Sequence, residues 1–366
     1  MFVCRMFDRV AGGVERMATN IMNAMAARGH DVSLFTWDLA GAVPFYPMDE
    51  SITWHRLDMG HAGQLAGNWL RAKRAIEFRR LTRSSKPDVV IGFQHGAWLF
   101  AETSLAGCDI PVILAERNAP DQYDHTSAGK IRNLIFQSMR LAPAITVQSP
   151  DYVDRYPAYL RSRTAVIPNP VYPAERFADP GGERERRTLL AVGRLSFQKN
   201  YPALIEAFAR LAPGRPEWRL RIVGEGEERP ALETLIEATG LGDRISMEGA
   251  VTDVAAEYAA ADLFCLPSRW EGFPNTLAEA LAHGLPAVAF TGCAGTGGLV
   301  DHGENGLLAW GNGDTPALTE SLADLMDNAA ERDRMGTNAR TIVQSFAPEK
   351  IYDEWERLFS RFRVCP

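Results

Sequence analysis

Cysteine is scarce in this chain. Five are spread over 366 residues, at Cys4, Cys108, Cys265, Cys293 and Cys365, with no C-x-x-C pair among them. An odd, scattered set argues against a disulfide framework or a clustered zinc site and fits a reducing cytoplasm. Long apolar runs are missing too. No stretch of eighteen apolar residues occurs, so no helix is expected to cross a bilayer. The opening, MFVCRMFDRVAGG, lacks the uninterrupted apolar region of a signal peptide. There is no G-x-G-x-x-G, which removes the fingerprint of a dinucleotide-dependent dehydrogenase. There is also no Asp-x-Asp to carry a metal-bound diphosphate. Excess positive charge is absent as well: the net charge of −7 argues against bulk nucleic-acid binding. The 46% of hydrophobic residues suffices for ordinary cores, and the length suits two domains.

What is present has the rhythm of an α/β protein. A short strand (2–7) leads to Ala11, Gly12 and Gly13, then to the amphipathic helix VERMATNIMNAMAARG and the strand DVSLFTW. Such a unit begins a doubly wound parallel sheet. Glycines at its turn let backbone approach a ligand, although a tight turn explains Gly12 and Gly13 equally well. PDVVIGF (87–93), PVILAE (111–116) and AITVQS (144–149) read as further strands. Just beyond them stand His95, then Arg117 and Asn118, then Ser149 followed by a helix. Ligands of open parallel sheets sit at such carboxyl ends. His95 is also readable as a surface-loop histidine, and Arg117 as the partner of a nearby carboxylate. TAVIPNPVYPAERF (164–177), with three prolines, reads as a linker. TLLAVGRL then opens a second parallel sheet, continued by RLRIVG, RISMEG, DLFCLP and AVAF.

The stretch RWEGFPNTLAEALAHGLP (269–286) organises this second half. Glu271 lies in the loop after DLFCLP. Glu279 lies in a helix that begins near Asn275 or Thr276 and stops at Gly284. A helix N-terminus aims N–H groups and partial positive charge into such a loop, where an anionic or polyhydroxylated ligand can sit. The competing reading is structural: Thr276-Leu-Ala-Glu279 fits a capping box, and Glu271-Gly272 fits an ordinary turn. Upstream, Arg194 and Lys199 stand five apart at a strand end before a helix. Fixed cations so placed can neutralise a diphosphate without metal, while singly they are ordinary surface charges. Gly224-Glu225-Gly226 reads as a turn near a nucleotide base.

Together these motifs resemble the retaining glycosyltransferases of family 4, which have the two-lobed GT-B fold. The resemblance is carried by the E-x7-E spacing of Glu271 and Glu279, by GRL-x-x-x-K-N at 193–200, and by the IPNP hinge. The GG-x-E-R opening, AERNAP, and TGCAGTGGLVDHGENGLL add to it. It runs over nearly the whole chain and is most specific between Gly193 and Pro286. It implies two Rossmann-like doubly wound α/β domains facing a central cleft. Residues 1–168 would bind the acceptor and 169–345 the nucleotide-sugar donor, with 346–366 a helix crossing back to the first domain. Arg194 and Lys199 would then hold the donor's diphosphate and Glu279 its ribose. Glu271 would lie beside the donor sugar, with Gly272, Phe273, Pro274, Asn275 and Thr276 around the sugar and diphosphate. In the same way Gly12 and Gly13 would face the donor phosphate, Glu248 and Val251 would meet the base through backbone, and His95 would contact the donor sugar. Arg117 and Asn118 would belong to the acceptor side. The catalytic set is Glu271, His95, Arg194 and Lys199. Three departures stand out: Pro170 replaces the hinge glycine, Gly298 stands where a Glu is usual, and the first strand is short and contains Arg5.

The activity this implies is transfer, with retention, from a nucleotide diphosphate sugar to a hydroxyl of a saccharide or lipid-linked saccharide. By family habit the donor is a UDP-sugar, and no metal or other cofactor is needed. The setting would be bacterial polysaccharide or glycan biosynthesis. The rivals are a UDP-sugar 2-epimerase or a phosphorylase on the same architecture, and a non-catalytic nucleotide-sugar- or saccharide-binding protein. An epimerase needs further acid–base residues, and the intact carboxylates and cations argue against decay.

Charge adds one more expectation. Residues 1–170 carry 19 Lys and Arg against 16 Asp and Glu, or +3, while residues 171–366 carry 20 against 30, or −10. Much of the first surplus lies in Trp69 to Lys86, where Arg71, Lys73, Arg74, Arg79, Arg80 and Arg83 interleave with Trp69, Leu70, Ile76, Phe78 and Leu81. One reading is a solvated helix whose apolar stripe packs on the sheet. The other is a basic face that docks on anionic lipid, placing a cytoplasmic enzyme peripherally on the inner membrane's cytoplasmic face.

Overall fold

Short apolar runs bounded by glycine and proline, each followed by a helix with one apolar face, can bury both strand faces only in a parallel sheet covered on both sides. Both halves of this chain do so. The computed structural model describes residues 1–60 and 67–362, so Cys365 lies outside the described residues. The chain divides into two units: Met1–Asn169 together with the chain from Glu349 onward, and Pro170–Pro348.

The first unit begins with β1 (Phe2–Val3), α1 (Gly13–Ala27), β2 (Ser33–Thr36), β3 (Thr53–Arg56) and α2 (Asn68–Ser85). It continues with β4 (Val90–Phe93), α3 (Gln94–Ser104), β5 (Val112–Ala115), α4 (Gln122–His125) and α5 (Arg132–Ser138). β6 (Ile145–Val147), α6 (Ala158–Arg161) and β7 (Thr164–Val166) complete its sheet, in the order β3-β2-β1-β4-β5-β6-β7. Every pairing is parallel.

Four local expectations are corrected here. The first strand is two residues long instead of six: backbone bonds to the neighbouring strand run on only through Cys4 and Arg5, and the Phe7 N–H bonds Asp38 Oδ2 instead. Thr164–Val166, read as linker, is the sheet's edge strand. The helix expected after Ser149 is a single 3-10 turn, Pro150–Tyr152. The basic helix α2 does not lay its whole apolar set on the sheet. Phe78 is buried against Phe35 and Phe100, yet Trp69 and Ile76 are 75% and 68% exposed.

The second unit contains β8 (Arg187–Val192), α7 (Tyr201–Leu211), β9 (Trp218–Val223), α8 (Arg229–Thr239), β10 (Ile245–Met247) and α9 (Val254–Ala260). β11 (Leu263–Leu266), α10 (Asn275–Ala282), β12 (Ala287–Phe290) and β13 (Gly306–Ala309) follow. α11 (Thr315–Asp327), α12 (Ala329–Ala339) and α13 (Ile342–Ser345) close it, and the order is β10-β9-β8-β11-β12-β13, again all parallel. Alternation along β8 divides the core: Leu189 and Ala191 join Leu204 and Phe208 of α7, while Leu190 and Val192 join Leu277 and Leu281 of α10.

α14 (Pro348–Ser360) carries Ile351, Tyr352, Trp355 and Leu358 at helical spacing, and all four are buried in the first unit's core beside Phe2, Ile21 and Ile91. Arg28, at the end of α1, pairs with Glu349 (3.0 Å), Asp353 (2.8 Å) and Glu356 (2.9 Å) of this helix.

Candidate functional site

In the second unit the strand order reverses between β8 and β11, and the loops leaving their carboxyl ends meet there. The first loop is shaped by backbone. Gly193 N–H bonds Val223 O, and Leu195 N–H bonds Glu225 O, each at 2.9 Å. A Cβ on Gly224 would overlap the Gly193 carbonyl, and one on Gly226 would overlap Leu195 O. The Gly-Glu-Gly sequence is therefore what lets this loop nest on its neighbour. Asn200, in the left-handed region (φ 55), ends the loop ahead of α7.

The second loop is stapled to the first. Arg269 N–H bonds Gln198 O (2.8 Å), and Gln198 Nε2 bonds Trp270 O (2.7 Å). The pairing carries Lys199 Nζ to 2.7 Å from Glu271 Oε1, and the Ser268 hydroxyl donates to the same oxygen at 2.6 Å. Glu271 is only 5% exposed. A carboxyl group that deep must have its lone pairs met by donors, and these two meet them.

Glu279 lies within α10, where the Tyr258 hydroxyl of α9 donates to its Oε2 at 3.0 Å. The helix starts at Asn275 with Pro274 as its cap residue, so Thr276 is already helical and the capping box does not form. The Pro274 carbonyl takes Leu277 and Ala278 N–H, and the Phe273 ring packs on Phe346. Asn275 N–H closes a turn onto Phe273 O at 2.8 Å.

Not every expected residue joins this cluster. Arg194 points to Glu227 at 2.9 Å, and its side chain is 72% exposed. The Glu248 carboxylate pairs with Arg221, its N–H bonds Ile222 O, and the Gly249 carbonyl takes Gly224 N–H. The Glu248 N–H is thus part of the sheet's continuation and is not a donor for a base. Val251 packs at the edge of the core that holds α10.

The remaining expected residues lie in the first unit. Gly12 precedes α1 and Gly13 opens it. His95 is the second residue of α3, not part of a loop, and follows Gln94 at φ 65. Its Nε2 lies 2.8 Å from Ser138 Oγ, whose own proton goes to Ile135 O (2.7 Å). Nε2 therefore carries the hydrogen and Nδ1 the lone pair, and burial lowers the ring's pKa.

Arg117, expected on the acceptor side, is packed inside the first unit. It is 6% exposed, its guanidinium lies over the Phe93 and Trp355 rings, and Nη1 bonds Asn169 Oδ1 at 3.2 Å. Burial pushes its pKa down to about 9. Its neighbour Asn118 is half-buried.

Sequence reasoning missed Ser268, Gln198, Tyr258 and Ser138. Two of these were within reach of a motif: Gln198, inside the 193–200 stretch just before Lys199, and Ser268, three residues before Glu271. Among the described residues, no three His, Cys, Asp or Glu side chains gather as a metal site, and no helix is long and apolar enough to cross a membrane.

Two doubly wound parallel units of this kind define the GT-B class of fold. The family model described as "Glycosyl transferases group 1" matches residues 174–342, and "Glycosyl transferase 4-like domain" matches residues 12–170. An uncharacterized glycosyltransferase of Haemophilus influenzae is 29% identical over 350 residues, covering 94% of this chain and 96% of its own. A Campylobacter jejuni N-acetyl-D-galactosaminyltransferase, named for a diNAcBac-PP-undecaprenol-linked GalNAc acceptor, is 24% identical, covering 96% of each. The crystal structure of Anabaena HepE in complex with UDP and glucose superposes with a TM-score of 0.77 at 21% identity, covering 98% of both chains. The chain belongs to the family-4-like glycosyltransferases of GT-B fold, which move a sugar from a nucleotide-sugar donor to an acceptor.

Proposed function

We propose that the protein is a retaining, metal-independent transferase that uses a UDP-sugar and glycosylates a saccharide or lipid-linked saccharide. The observation that carries this reading is the convergence of Lys199, Ser268 and Glu271 at the strand-order reversal, with Glu279 on the helix that follows. In the free protein Lys199 is held by Glu271 and Arg194 by Glu227. A donor diphosphate exchanges those carboxylates for its own oxygens, so both cations meet the charge that grows as the glycosidic bond breaks. Ser268 keeps hold of Glu271, which faces the sugar, while Glu279 takes the ribose and His95 is assigned to the sugar. No protein nucleophile is invoked: the leaving phosphate takes the acceptor's proton. HepE, solved with UDP, supports the base, and the Campylobacter enzyme's undecaprenol-linked acceptor supports the acceptor class.

A cytoplasmic protein with a lipid-linked acceptor has to meet a membrane surface, and α2 is assigned that contact. Trp69, Ala72, Lys73, Ile76, Arg80 and Arg83 form one exposed stripe along it. Arg74 and Arg79 do not belong to the stripe. Arg74 bonds Met59 O (2.7 Å), and Arg79 bonds Ser104 O and Ala106 O (both 2.9 Å).

A donor screen tests the proposal. UDP-, GDP-, ADP- and dTDP-sugars are incubated with the protein, with and without a chelator, and nucleotide release and sugar anomer are followed by NMR. The expected result is hydrolysis of a UDP-sugar with its anomeric configuration kept, indifferent to chelation. Release of inverted sugar, or loss of release on chelation, would overturn the mechanism. No release from any donor would overturn the enzymatic reading in favour of a binding protein.

A further inference from the structure

Helices α9 and α10 flank β11, and Tyr258 of the first reaches Glu279 on the second. Its ring is 1% exposed. Phe264 meets it edge-on at 6.0 Å between centroids, and the His283 ring lies against it at 5.0 Å. His283 is fixed in turn. Its Nδ1 lies 2.8 Å from the Glu279 carbonyl oxygen, which can only accept, so Nδ1 carries the hydrogen. Ring packing therefore decides where the Tyr258 hydroxyl stands, and the hydroxyl decides where Glu279 Oε2 stands, at 3.0 Å.

A glutamate side chain has three rotatable torsions, and an unrestrained carboxylate loses that freedom each time a ligand binds. A diol presents two hydroxyls in fixed relation, so a carboxylate whose plane is already set binds it better than one that must be ordered. Sharing is chemically allowed, because an ionised carboxylate accepts about four hydrogen bonds.

We propose that Tyr258 is a positioning residue for nucleoside recognition: it holds Glu279 in the orientation that accepts the ribose hydroxyls, so preference for ribose over deoxyribose at this site depends on it. The proposal rests on the ribose reading of Glu279 given above.

The test is calorimetric titration of wild type, Tyr258→Phe and Glu279→Gln with UDP and GDP, each beside its 2′-deoxy form. Wild type is expected to prefer a ribonucleotide. Tyr258→Phe should lose roughly ten- to a hundredfold in affinity for that ribonucleotide, the scale of one hydrogen bond to a charged group. Its affinity for the deoxy form, which keeps only the 3′-hydroxyl, should fall clearly less. A wild type that binds neither pair, or binds both forms alike, overturns the ribose reading and this proposal with it. A wild-type preference that Glu279→Gln abolishes and Tyr258→Phe keeps in full overturns this proposal alone. Equal loss of both forms in Tyr258→Phe, with a lowered melting temperature, also overturns it, since that is what a purely structural tyrosine gives. Should Tyr258→Phe fold poorly, His283→Asn removes the wall against the ring. It must then show the same selective loss in smaller measure, and an unchanged ratio there overturns the proposal.

Discussion

Lys199 and Glu271 are 72 residues apart in the chain and 2.7 Å apart in space. Both were legible as members of motifs; their pairing was not, because it depends on the Gln198 staple between two loops. The pairing changes what a substitution does. Lys199→Met leaves a nearly buried carboxylate without its cation, a change that costs about 3 kcal/mol when such a pair is fully buried, and somewhat less with Ser268 still in place. The melting temperature should fall together with nucleotide diphosphate affinity. Lys199→Met with Glu271→Gln should recover most of the stability and none of the affinity. Recovery of both would remove Lys199 from the phosphate site.

Glu116 is a residue whose behaviour no motif announced. It directly follows β5, is 2% exposed, and its Oε2 is buried without a hydrogen-bond partner. Burial raises its pKa to about 7, against the opposing pull of the Arg117 and Asn118 N–H groups and the Arg117 charge. The folded state therefore keeps a proton between about pH 4.5 and 7 that the unfolded chain gives up. That stability is complete below the ordinary carboxylate range and is lost as pH rises through 7. Melting temperature should drop from pH 6 to pH 8 in wild type and drop less in Glu116→Gln. Parallel profiles for the two would show that Glu116 is ionised throughout.

At the scale of elements, periodicity and turn chemistry located the strands whose ends matter. β8, β11 and α10 lie where RWEGFPNTLAEALAHGLP and its flanks put them. Boundaries failed where tertiary contacts outweigh pattern. β3 and β7 are edge strands of 4 and 3 residues, whose single sheet neighbours make the sequence signal faint. The cap of α10 failed for a different reason: Thr276 follows a proline whose own carbonyl already starts the helix, so a box that fits by spacing has no geometry to occupy.

α2 shows what a helical count of charges leaves out. Seven basic residues were visible from Trp69 to Lys86, but backbone carbonyls claim two of them, Arg74 and Arg79, and reversing those would damage the first unit itself. The informative variant is Lys73→Glu, Arg80→Glu and Arg83→Glu, on the exposed stripe. Each contributes about 1 kcal/mol near an anionic surface. Wild type should sediment with anionic vesicles at low salt and be released at high salt. The triple variant should stay in the supernatant while donor hydrolysis is unchanged. Equal sedimentation of both would end the assignment of α2 to the membrane.

At the scale of the molecule, the last helix decides what stands alone. Ile351, Tyr352, Trp355 and Leu358 belong to the first unit's core, and the second unit's two core clusters contain none of them. Each such side chain contributes roughly 1.5–3 kcal/mol when fully buried. Four together approach the entire stability of a domain, about 5–15 kcal/mol. Ending the chain at Pro348 also strips Arg28 of Glu349, Asp353 and Glu356, and uncovers Arg117 where Trp355 lies over its guanidinium. Calorimetry of this shortened chain should show one transition, and that of the full chain two. The surviving transition should rise on adding the nucleotide diphosphate that the full chain binds, because Lys199, Glu271, Tyr258 and Glu279 all lie within Pro170–Pro348. Trp355→Ala is the milder form and should lower only the other transition, by about 3–5 kcal/mol. If the shortened chain instead loses nucleotide binding along with its first unit, the donor site is not contained in the second unit, and the placement of the phosphate and ribose contacts argued above fails with it.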